Sequence, residues 1–334
     1  MQHASARCAA RPSVSATLLA LMSVLSALSF SGASRAETFP ERTIKIVVPF
    51  PAGGPTDVAA RVVAQALSSR LAQNVVVENL TGGGGKLGTK AVATASPDGY
   101  TLLLGGTNVN AIPASLKNLG YDPIGSFAPV APICADTMVL AVSPRVSANT
   151  VEELVQQAKK QPGAFKFGAP QGIYTHLAGE FFKVKTGTDI LFVPYKGAAP
   201  AITDLLGGQV QVIYDNMPSV IQHIRSGALR ALAVTTLEPS AQLPDVPTVA
   251  ATVPGYEASA LFGMGAPKNT PKEIIAKLNS EINAILAEPD MTKRLVELGG
   301  APLIQTPEKF GADIVAETEK WKKVIESANI EKVQ

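Results

Sequence analysis

Short apolar segments alternate with helical patterns along most of the sequence, and this alternation leaves few possible architectures. Parallel strands need long return connections, which are usually helices. The pattern therefore predicts an α/β protein with mostly parallel sheets flanked by helices. The predicted strands lie at residues 43–49, 74–78, 101–105, 137–143, 165–169, 190–194, 209–214, 229–235 and 259–266.

Two segments rich in Pro and Gly interrupt the alternation, at residues 118–132 and 237–256. At 334 residues the chain is also too long for one ordinary hydrophobic core. We therefore expect one domain to be inserted into another, with two strand crossings as hinges. The predicted boundaries are 37–137 plus 261–334 for domain 1, and 138–260 for domain 2.

The first 36 residues have the features of a cleavable signal peptide. Arg7 and Arg11 precede a 17-residue apolar run at 14–30, and the sequence SGASRA follows it, which predicts cleavage near Ala36. A membrane anchor is the alternative, but the run is short for a span and is diluted by Ser and Thr. We expect a periplasmic protein, with residues 1–36 removed.

The charge of the remaining chain is close to neutral. Residues 1–36 contain three of the 29 basic residues and none of the 27 acidic ones, which leaves 26 against 27. A chain with this balance lacks the basic surface that nucleic acids and anionic membranes attract. The sequence therefore predicts neither as a partner.

Residues for common catalytic chemistry are scarce. After residue 36 the chain has only His176, His223 and Cys134 as histidines and cysteines, and it has no G-x-S-x-G, H-E-x-x-H or C-x-x-C motif. A single cysteine cannot form an internal disulfide, so Cys134 is predicted to be a buried structural thiol. These absences do not exclude an enzyme, but they remove the common catalytic mechanisms and metal sites, and we expect no catalytic residue, metal or cofactor.

A glycine run at residues 79–90, NLTGGGGKLGTK, resembles a phosphate-binding loop only superficially. When Gly85 and Lys86 are aligned with the G-K pair of G-x-x-x-x-G-K-[ST], Leu80 replaces the first glycine and Leu87 replaces the Ser or Thr. The run is therefore predicted to be a sharp bend before a helix.

The segment PFPAGGPTDVAAR, residues 49–61, joins a predicted strand to a predicted helix. Glycines allow close approach to main-chain N–H groups, and a helix N-terminus favours an anion. The alternative is an ordinary tight turn. Asp57 is either a structural cap that pairs with Arg61 or a group that contacts the ligand. The candidate ligand-binding residues here are Pro51, Ala52, Gly53, Gly54 and Asp57.

The segment FGAPQGIYTHLAGEFF, residues 167–182, has the same strand, turn and helix pattern. His176, on the first predicted turn of the helix, is interpreted as a capping or packing group. Further polar residues lie where two other predicted strands end, at the edge where α/β proteins bind ligands. The additional candidates are Pro170, Gln171, Gly172, Ile173, Tyr174, Thr175, Tyr195, Lys196, Asp215 and Asn216.

Several motifs in order give the whole chain after residue 36 a specific resemblance. VVPFPAGGPTDVAAR, VVVENLTGGGGKLGT, THLAGEFF, VPYKGAAPAITDLLGGQV and LPDVPT occur in the order typical of the Bug family. These proteins are the substrate-binding receptors of tripartite tricarboxylate transporters. The chain departs from the family pattern at Ile173 and Tyr174 of the second loop, and at Leu261 and Phe262, near which the family commonly has a Trp.

The resemblance implies a type II-like periplasmic-binding-protein clamshell with two hinge crossings, each domain a mostly parallel sheet flanked by helices. It also implies that residues 51–54 and 170–175 hold carboxylate groups of a small solute through main-chain N–H groups and bridging waters. The partners implied are a carboxylate or dicarboxylate ligand and the membrane permease subunits, and we expect a monomer. The alternative functions are a ligand-sensing adaptor for a signalling partner and, less favoured, a periplasmic enzyme.

Overall fold

Two β-sheets flanked by helices make up the fold seen in the computed structural model, which describes residues 39–106 and 119–330. The predicted signal peptide lies outside these residues. The eleven strands within the two described ranges are β1 (Ile44–Val48), β2 (Val75–Asn79), β3 (Thr101–Gly106), β4 (Phe127–Asp136), β5 (Met138–Val142), β6 (Lys166–Pro170), β7 (Leu191–Tyr195), β8 (Val212–Asn216), β9 (Arg230–Val234), β10 (Ala260–Pro267) and β11 (Gly300–Pro302).

The helices lie mostly between the strands, as the sequence predicts. The nine α-helices in the described ranges are α1 (Pro55–Leu71), α2 (Lys86–Ala93), α3 (Val151–Lys160), α4 (Tyr174–Thr186), α5 (Ala198–Gly207), α6 (Met217–Arg225), α7 (Lys272–Leu286), α8 (Pro289–Glu297) and α9 (Pro307–Ser327). The glycine run forms a 3-10 turn at Gly83–Gly85 immediately before α2, which confirms the predicted bend.

The first sheet has the order β11-β4-β10-β3-β1-β2 and contains strands from both ends of the described chain. Strands β1, β2 and β3 are parallel, and β10 is antiparallel to both β3 and β4. Four of the six strands, β1 to β4, therefore run in one direction. In β1 the side chains of Ile44, Ile46 and Val48 are buried on one face and Val47 on the other, as expected for a strand covered by helices on both sides.

The second sheet has the order β7-β6-β8-β5-β9. Strands β6, β7 and β8 are parallel, whereas β5 is antiparallel to both β8 and β9. Four of the five strands therefore run in one direction. The strand directions of both sheets agree with the predicted α/β class and its mostly parallel sheets.

Two chain segments cross between the sheets. Strand β4 ends at Asp136 and β5 begins at Met138, so one residue, Thr137, separates them. The return crossing runs from the end of β9 to the start of β10. Helices from the two sheets also meet, because the ring of Phe181 on α4 packs edge-on against Trp321 on α9 at 6.0 Å.

The segment at 118–132 was expected to be a loop, and that prediction is wrong for its second half. Residues 127–132 belong to β4, an interior strand between β11 and β10. Pro129 and Pro132 are opposite Gly265 and Gly263, next to the two register shifts in the pairing with β10. Local irregularities of this kind accommodate prolines that cannot donate a ladder hydrogen bond. The short strand β11 was also not predicted.

Within the ranges that the structure describes, no helix combines the length and apolar character needed to cross a membrane.

Gly88 allows α2 to lie directly on the chain at the end of β1. A Cβ at this position would overlap the carbonyl oxygen of Leu80 and lie 3.1 Å from the Cα of Pro49. We expect Gly88→Ala to lower the free energy of unfolding by about 1–3 kcal/mol, because the backbone on the other side has little freedom to move. Chemical denaturation of the purified protein measures this change.

The matched control is Gly207→Ala, at the end of α5, where a Cβ would meet no atom within 4 Å. Ala is favoured over Gly inside helices by roughly 0.5–1 kcal/mol, so this variant should be neutral or slightly stabilising. Equal effects at both positions would contradict the close packing of α2.

Candidate functional site

The predicted ligand-binding residues lie where parallel strands end. Residues 51–54, the first loop, follow β1, and residues 170–175, the second loop, begin at the last residue of β6. Because β6, β7 and β8 are parallel, their carboxyl ends lie along one edge of the second sheet. The first loop lies at the corresponding edge of the first sheet, with the carboxyl ends of β1, β2 and β3.

Asp57 is the internal anchor of the first loop. Its side chain is 2% exposed, and Oδ2 accepts hydrogen bonds from the backbone N–H of Gly53 at 2.9 Å and from Arg61 Nε at 3.0 Å. Its other oxygen accepts from Asn79 Nδ2 at 3.0 Å. Asn79 also donates to the carbonyl of Phe50 at 3.0 Å, so the end of β2 is tied to the first loop.

The charge of Asp57 is satisfied within the protein. Burial raises its pKa, but the hydrogen bonds from Arg61, Gly53 and Asn79 and the charge of Arg61 outweigh burial and lower the pKa overall. Asp57 does not cap α1 with its side chain, since the N-cap residue is Gly54 and no side chain bonds there. The pairing with Arg61 is confirmed, and the carboxylate holds the loop in shape.

The second loop has a related construction. The backbone N–H of Gly172 donates to Nδ1 of His176 at 3.2 Å, just as Gly53 donates to Asp57. Both glycines have φ near +80°, a conformation that residues with a side chain rarely adopt. The second loop leads into α4, where the hydroxyl oxygen of Thr175 is buried with no hydrogen-bond partner among residues 39–106 and 119–330.

The neighbouring strand ends contribute the other candidates. Tyr195 is opposite Pro170 in the sheet and donates its hydroxyl hydrogen to Asp204 at 2.6 Å. Burial and Asp204 raise the pKa of Tyr195 to about 12. Lys196, the next residue, is exposed and has no ion-pair partner within the described ranges. Asn216 donates to the hydroxyl of Tyr174, which joins the end of β8 to the second loop.

Two acidic side chains are buried where the chain crosses between the sheets. Asp136, at the end of β4, is 1% exposed, and neither of its oxygens has a partner among the residues described. Burial, and then the charge of Asp215, raises its pKa well above the ordinary value. Burial also raises the pKa of Asp215 to about 6, although the N–H of Asn216 bonds to its Oδ1 at 2.7 Å.

The structure therefore places the candidates in two groups. One contains the first loop and Asp57, and the other contains the second loop with Tyr195, Lys196, Asp215 and Asn216. In the part of the chain that the structure describes, hydrogen bonds connect members within each group and none connects the two groups. The crossing at Thr137 leads directly to the second group, because Met138 is paired with Asn216.

Comparison with known proteins identifies the family. The family model described as "Tripartite tricarboxylate transporter family receptor" matches residues 59–330. Protein BugT of Bordetella pertussis is 40% identical over 294 residues, which cover 87% of this chain and 90% of BugT. The chain belongs to the tripartite tricarboxylate transporter receptor family. It is one of the Bug-type periplasmic solute-binding proteins, as the sequence resemblance predicts.

Solved structures of similar proteins agree with this assignment. The structure described as "R. palustris Rpa4515 with adipate" shares 36% identity and a TM-score of 0.77, covering 88% of this chain and 100% of that one. MatC from Rhodopseudomonas palustris with bound malate shares 29% identity and a TM-score of 0.71, covering 86% and 100%. The α/β fold with two sheets is thus the fold of this receptor family.

Family membership also supports the absence of catalysis. Tripartite tricarboxylate transporter receptors bind solutes and are not enzymes, which agrees with the scarcity of catalytic motifs. Within residues 39–106 and 119–330, no three His, Cys, Asp or Glu side chains are grouped so that they could hold a metal ion. Cys134 is buried, as predicted, and burial raises its pKa above the usual range of a thiol.

Three contributors to the site were missed or only partly interpreted. Asn79 was not predicted because its role depends on contacts with the first loop, which precedes it by one helix and one strand. Asp136 was missed because its strand was interpreted as a loop. His176 was noticed as a capping or packing group, but its bond to Gly172 was not predicted. A polar residue at the carboxyl end of an apolar strand is the signal that would have found Asn79 and Asp136.

A separate apolar cavity of about 100 Å³ lies in the first sheet beneath α9. Leu103, Phe127, Met264, Phe310 and several glycines line it. It includes none of the predicted site residues, and it offers a carboxylate no charged side chain.

Asp215 provides a test of the buried acidic groups. Its folded pKa of about 6 exceeds the ordinary value of 3.8, so its ionisation reduces stability as the pH rises from about 4 to above 6. Asp215→Asn removes this cost. At pH 7.5 the variant should be more stable than the parent protein by on the order of 2–3 kcal/mol, an upper bound from the size of the shift.

The comparison is made by denaturant unfolding of both proteins between pH 3 and pH 7.5. The advantage of the variant should shrink as the pH falls through 6 and disappear near pH 3, below the ordinary value of 3.8, where Asp215 is protonated in both the folded and the unfolded parent chain. A variant that is less stable at pH 7.5, or whose advantage does not change with pH, would contradict the assignment of a buried, destabilised carboxylate.

Proposed function

We propose that this protein is a periplasmic receptor that captures a small carboxylated solute between residues 51–54 and residues 170–175. In this proposal the strands and helices of residues 37–137 plus 261–334 form one domain, and residues 138–260 form the other. The ligand binds between them and favours a closed state. A cleavable signal peptide ending near Ala36 exports the chain, which acts as a monomer.

The observation that carries the proposal is the shared construction of the two loops. In each, a glycine N–H is held by a side chain in the first turn of the following helix, so the loop has a fixed shape. In α1, the backbone N–H groups of Thr56 and Asp57 have no partner among the described residues, as the first turn of a helix requires. Such groups and the helix dipole favour an anion.

The similar structures support a carboxylate as that anion. One is described with adipate and another with bound malate, both dicarboxylates. A ligand with two carboxylates could place one at each loop, which would make affinity depend on the spacing between them. A dissociation constant of 1 μM corresponds to about −8 kcal/mol, so both loops and the exclusion of water must contribute.

The proposed partner is the pair of membrane subunits of a tripartite tricarboxylate-type transporter. The family description names this transporter class. A sensory adaptor that presents the liganded form to a signalling protein is the alternative, since capture of a solute is the same first step in both cases. Co-purification of the liganded protein with the permease of a neighbouring gene cluster separates them.

A thermal-shift experiment with adipate and malate tests the ligand class. A ligand at 100 times its dissociation constant adds about 2.7 kcal/mol to the free energy of unfolding, which raises the melting temperature by several degrees. The neutral diamide of adipate, adipamide, has nearly the same shape and is the control. Equal shifts with adipate and adipamide, or a shift only with neutral solutes, would contradict an anion site.

A pair of glycine variants shows whether the bound carboxylate uses the first loop. Gly53→Val and Gly227→Val both place a side chain at a positive φ, and a Cβ at either position meets nothing within 4 Å. The strain of roughly 1–2 kcal/mol is therefore similar. Only Gly53→Val should weaken adipate or malate binding, by about tenfold or more. Unchanged binding would place the ligand elsewhere.

A further inference from the structure

His176 occupies a position in the second loop that corresponds to Asp57 in the first. In each case a glycine with positive φ donates its N–H to the side chain four residues later, in the first helical turn. The acceptors differ in charge. Asp57 is an anion held by Arg61, with both of its oxygens within 3.0 Å of the guanidinium nitrogens, whereas an imidazole can accept only when it is uncharged.

The surroundings of His176 hold the imidazole in that state and orientation. The ring is 3% exposed and stacks on Phe192, with the two centroids 3.8 Å apart and the planes at 25°. Since Nδ1 accepts the Gly172 N–H, the ring proton must be on Nε2. Nε2 lies 3.9 Å from Glu180, whose carboxylate is instead paired with Lys183 at 2.8 Å.

We propose that His176, in its uncharged form, is the positioning residue that sets the shape of the second loop, so that the side chain that holds this loop adds no negative charge where a carboxylate binds. Only the part of this inference that concerns a bound carboxylate rests on the proposed function. The role of His176 in fixing the loop is independent of which ligand binds. In the first loop the corresponding group is the Asp57 carboxylate, whose charge Arg61 balances, whereas the second loop is held without an ion pair.

The charged groups around His176 determine the pH at which its imidazole gains a proton and can no longer accept the hydrogen bond from Gly172. Burial, and then the charge of Lys183, lowers the pKa of His176 to about 4. Glu180 and Lys183 belong to the same helix and neutralise each other, and the neighbouring strands contribute the uncharged rings of Phe167 and Phe192. The loop should therefore keep its shape at neutral and mildly acidic pH. It should lose the Gly172 bond near and below pH 4.

Amide hydrogen exchange of Gly172 tests the positioning role without any ligand. The protein is purified from a host that expresses the full chain with ¹⁵N-glycine. His176→Phe keeps a ring against Phe192 but removes the acceptor, whereas His176→Asn places an uncharged oxygen acceptor near Nδ1. Gly172 exchange should accelerate about tenfold or more in His176→Phe and stay within about threefold of the parent protein in His176→Asn.

The amide of Gly187 is an internal reference for these measurements. It also belongs to a glycine with positive φ, at the end of the same helix, but it donates to the carbonyl of Lys183 at 2.8 Å. Its exchange should be the same in all variants if the helix is intact. Equal exchange of Gly172 in His176→Phe and in the parent protein would overturn the proposal.

Lowering the pH gives a second readout that does not depend on whether His176→Phe folds. Relative to Gly187, protection of Gly172 in the parent protein should fall near pH 4, where the imidazole gains a proton. In His176→Asn it should not, because the amide side chain does not titrate. The same loss of protection in both proteins would overturn the role of the uncharged imidazole.

Binding of adipate and malate tests the charge argument at pH 7. His176→Asp keeps an acceptor for Gly172 but introduces an anion, so it should bind more weakly than His176→Asn by about tenfold. Equal binding by these two variants would overturn the claim that an uncharged side chain at position 176 favours a bound carboxylate. If the parent protein binds no carboxylate while Gly172 exchange behaves as expected, the proposed function fails and the positioning role stands.

Discussion

The single residue Thr137 between β4 and β5 is the constraint on which the arrangement of the site depends. With so short a connection, the carboxyl end of β4 in one sheet must lie beside the start of β5 in the other. Both backbone groups of Thr137 are used, since its N–H donates to Gly299 at 3.0 Å and its carbonyl accepts from Met217 at 2.9 Å. Thr137 is thus hydrogen-bonded to residues that adjoin a strand of each sheet, Gly299 before β11 and Met217 after β8.

The strand directions extend this constraint to the two candidate ligand-binding loops. The start of β5 is paired with the end of β8, and the end of β4 is paired with the start of β10, next to the end of β3. The first loop follows β1, which ends at the same edge of the first sheet as β3. The second loop follows β6, which ends at the same edge of the second sheet as β8. The strand directions therefore place each loop at the edge of its sheet where the crossing lies.

Much of this could be predicted from the sequence, for local reasons. A Pro-Gly turn between an apolar strand and a helix occurs at residues 49–57, and the hydrogen bond from Gly53 to Asp57 joins residues only four apart in the sequence. The local structure was less predictable where residues far apart in the sequence determine it. Pro129 and Pro132 indicated a loop, but pairing with a glycine-containing strand more than 120 residues away allows them in β4. Likewise, the pairing of Asp57 with Arg61, four residues away, could be predicted, whereas its bond to Asn79, at the end of the next strand, could not.

The central claim is that two loops with fixed shapes bind the carboxylates of one ligand through backbone N–H groups. A crystal structure of the protein grown with adipate or malate tests it most directly. The account predicts carboxylate oxygens about 3 Å from backbone nitrogens, or from waters bridging to them, at both residues 51–57 and residues 170–176. A ligand bound in the apolar cavity beside Phe310, or touching neither loop, would contradict it.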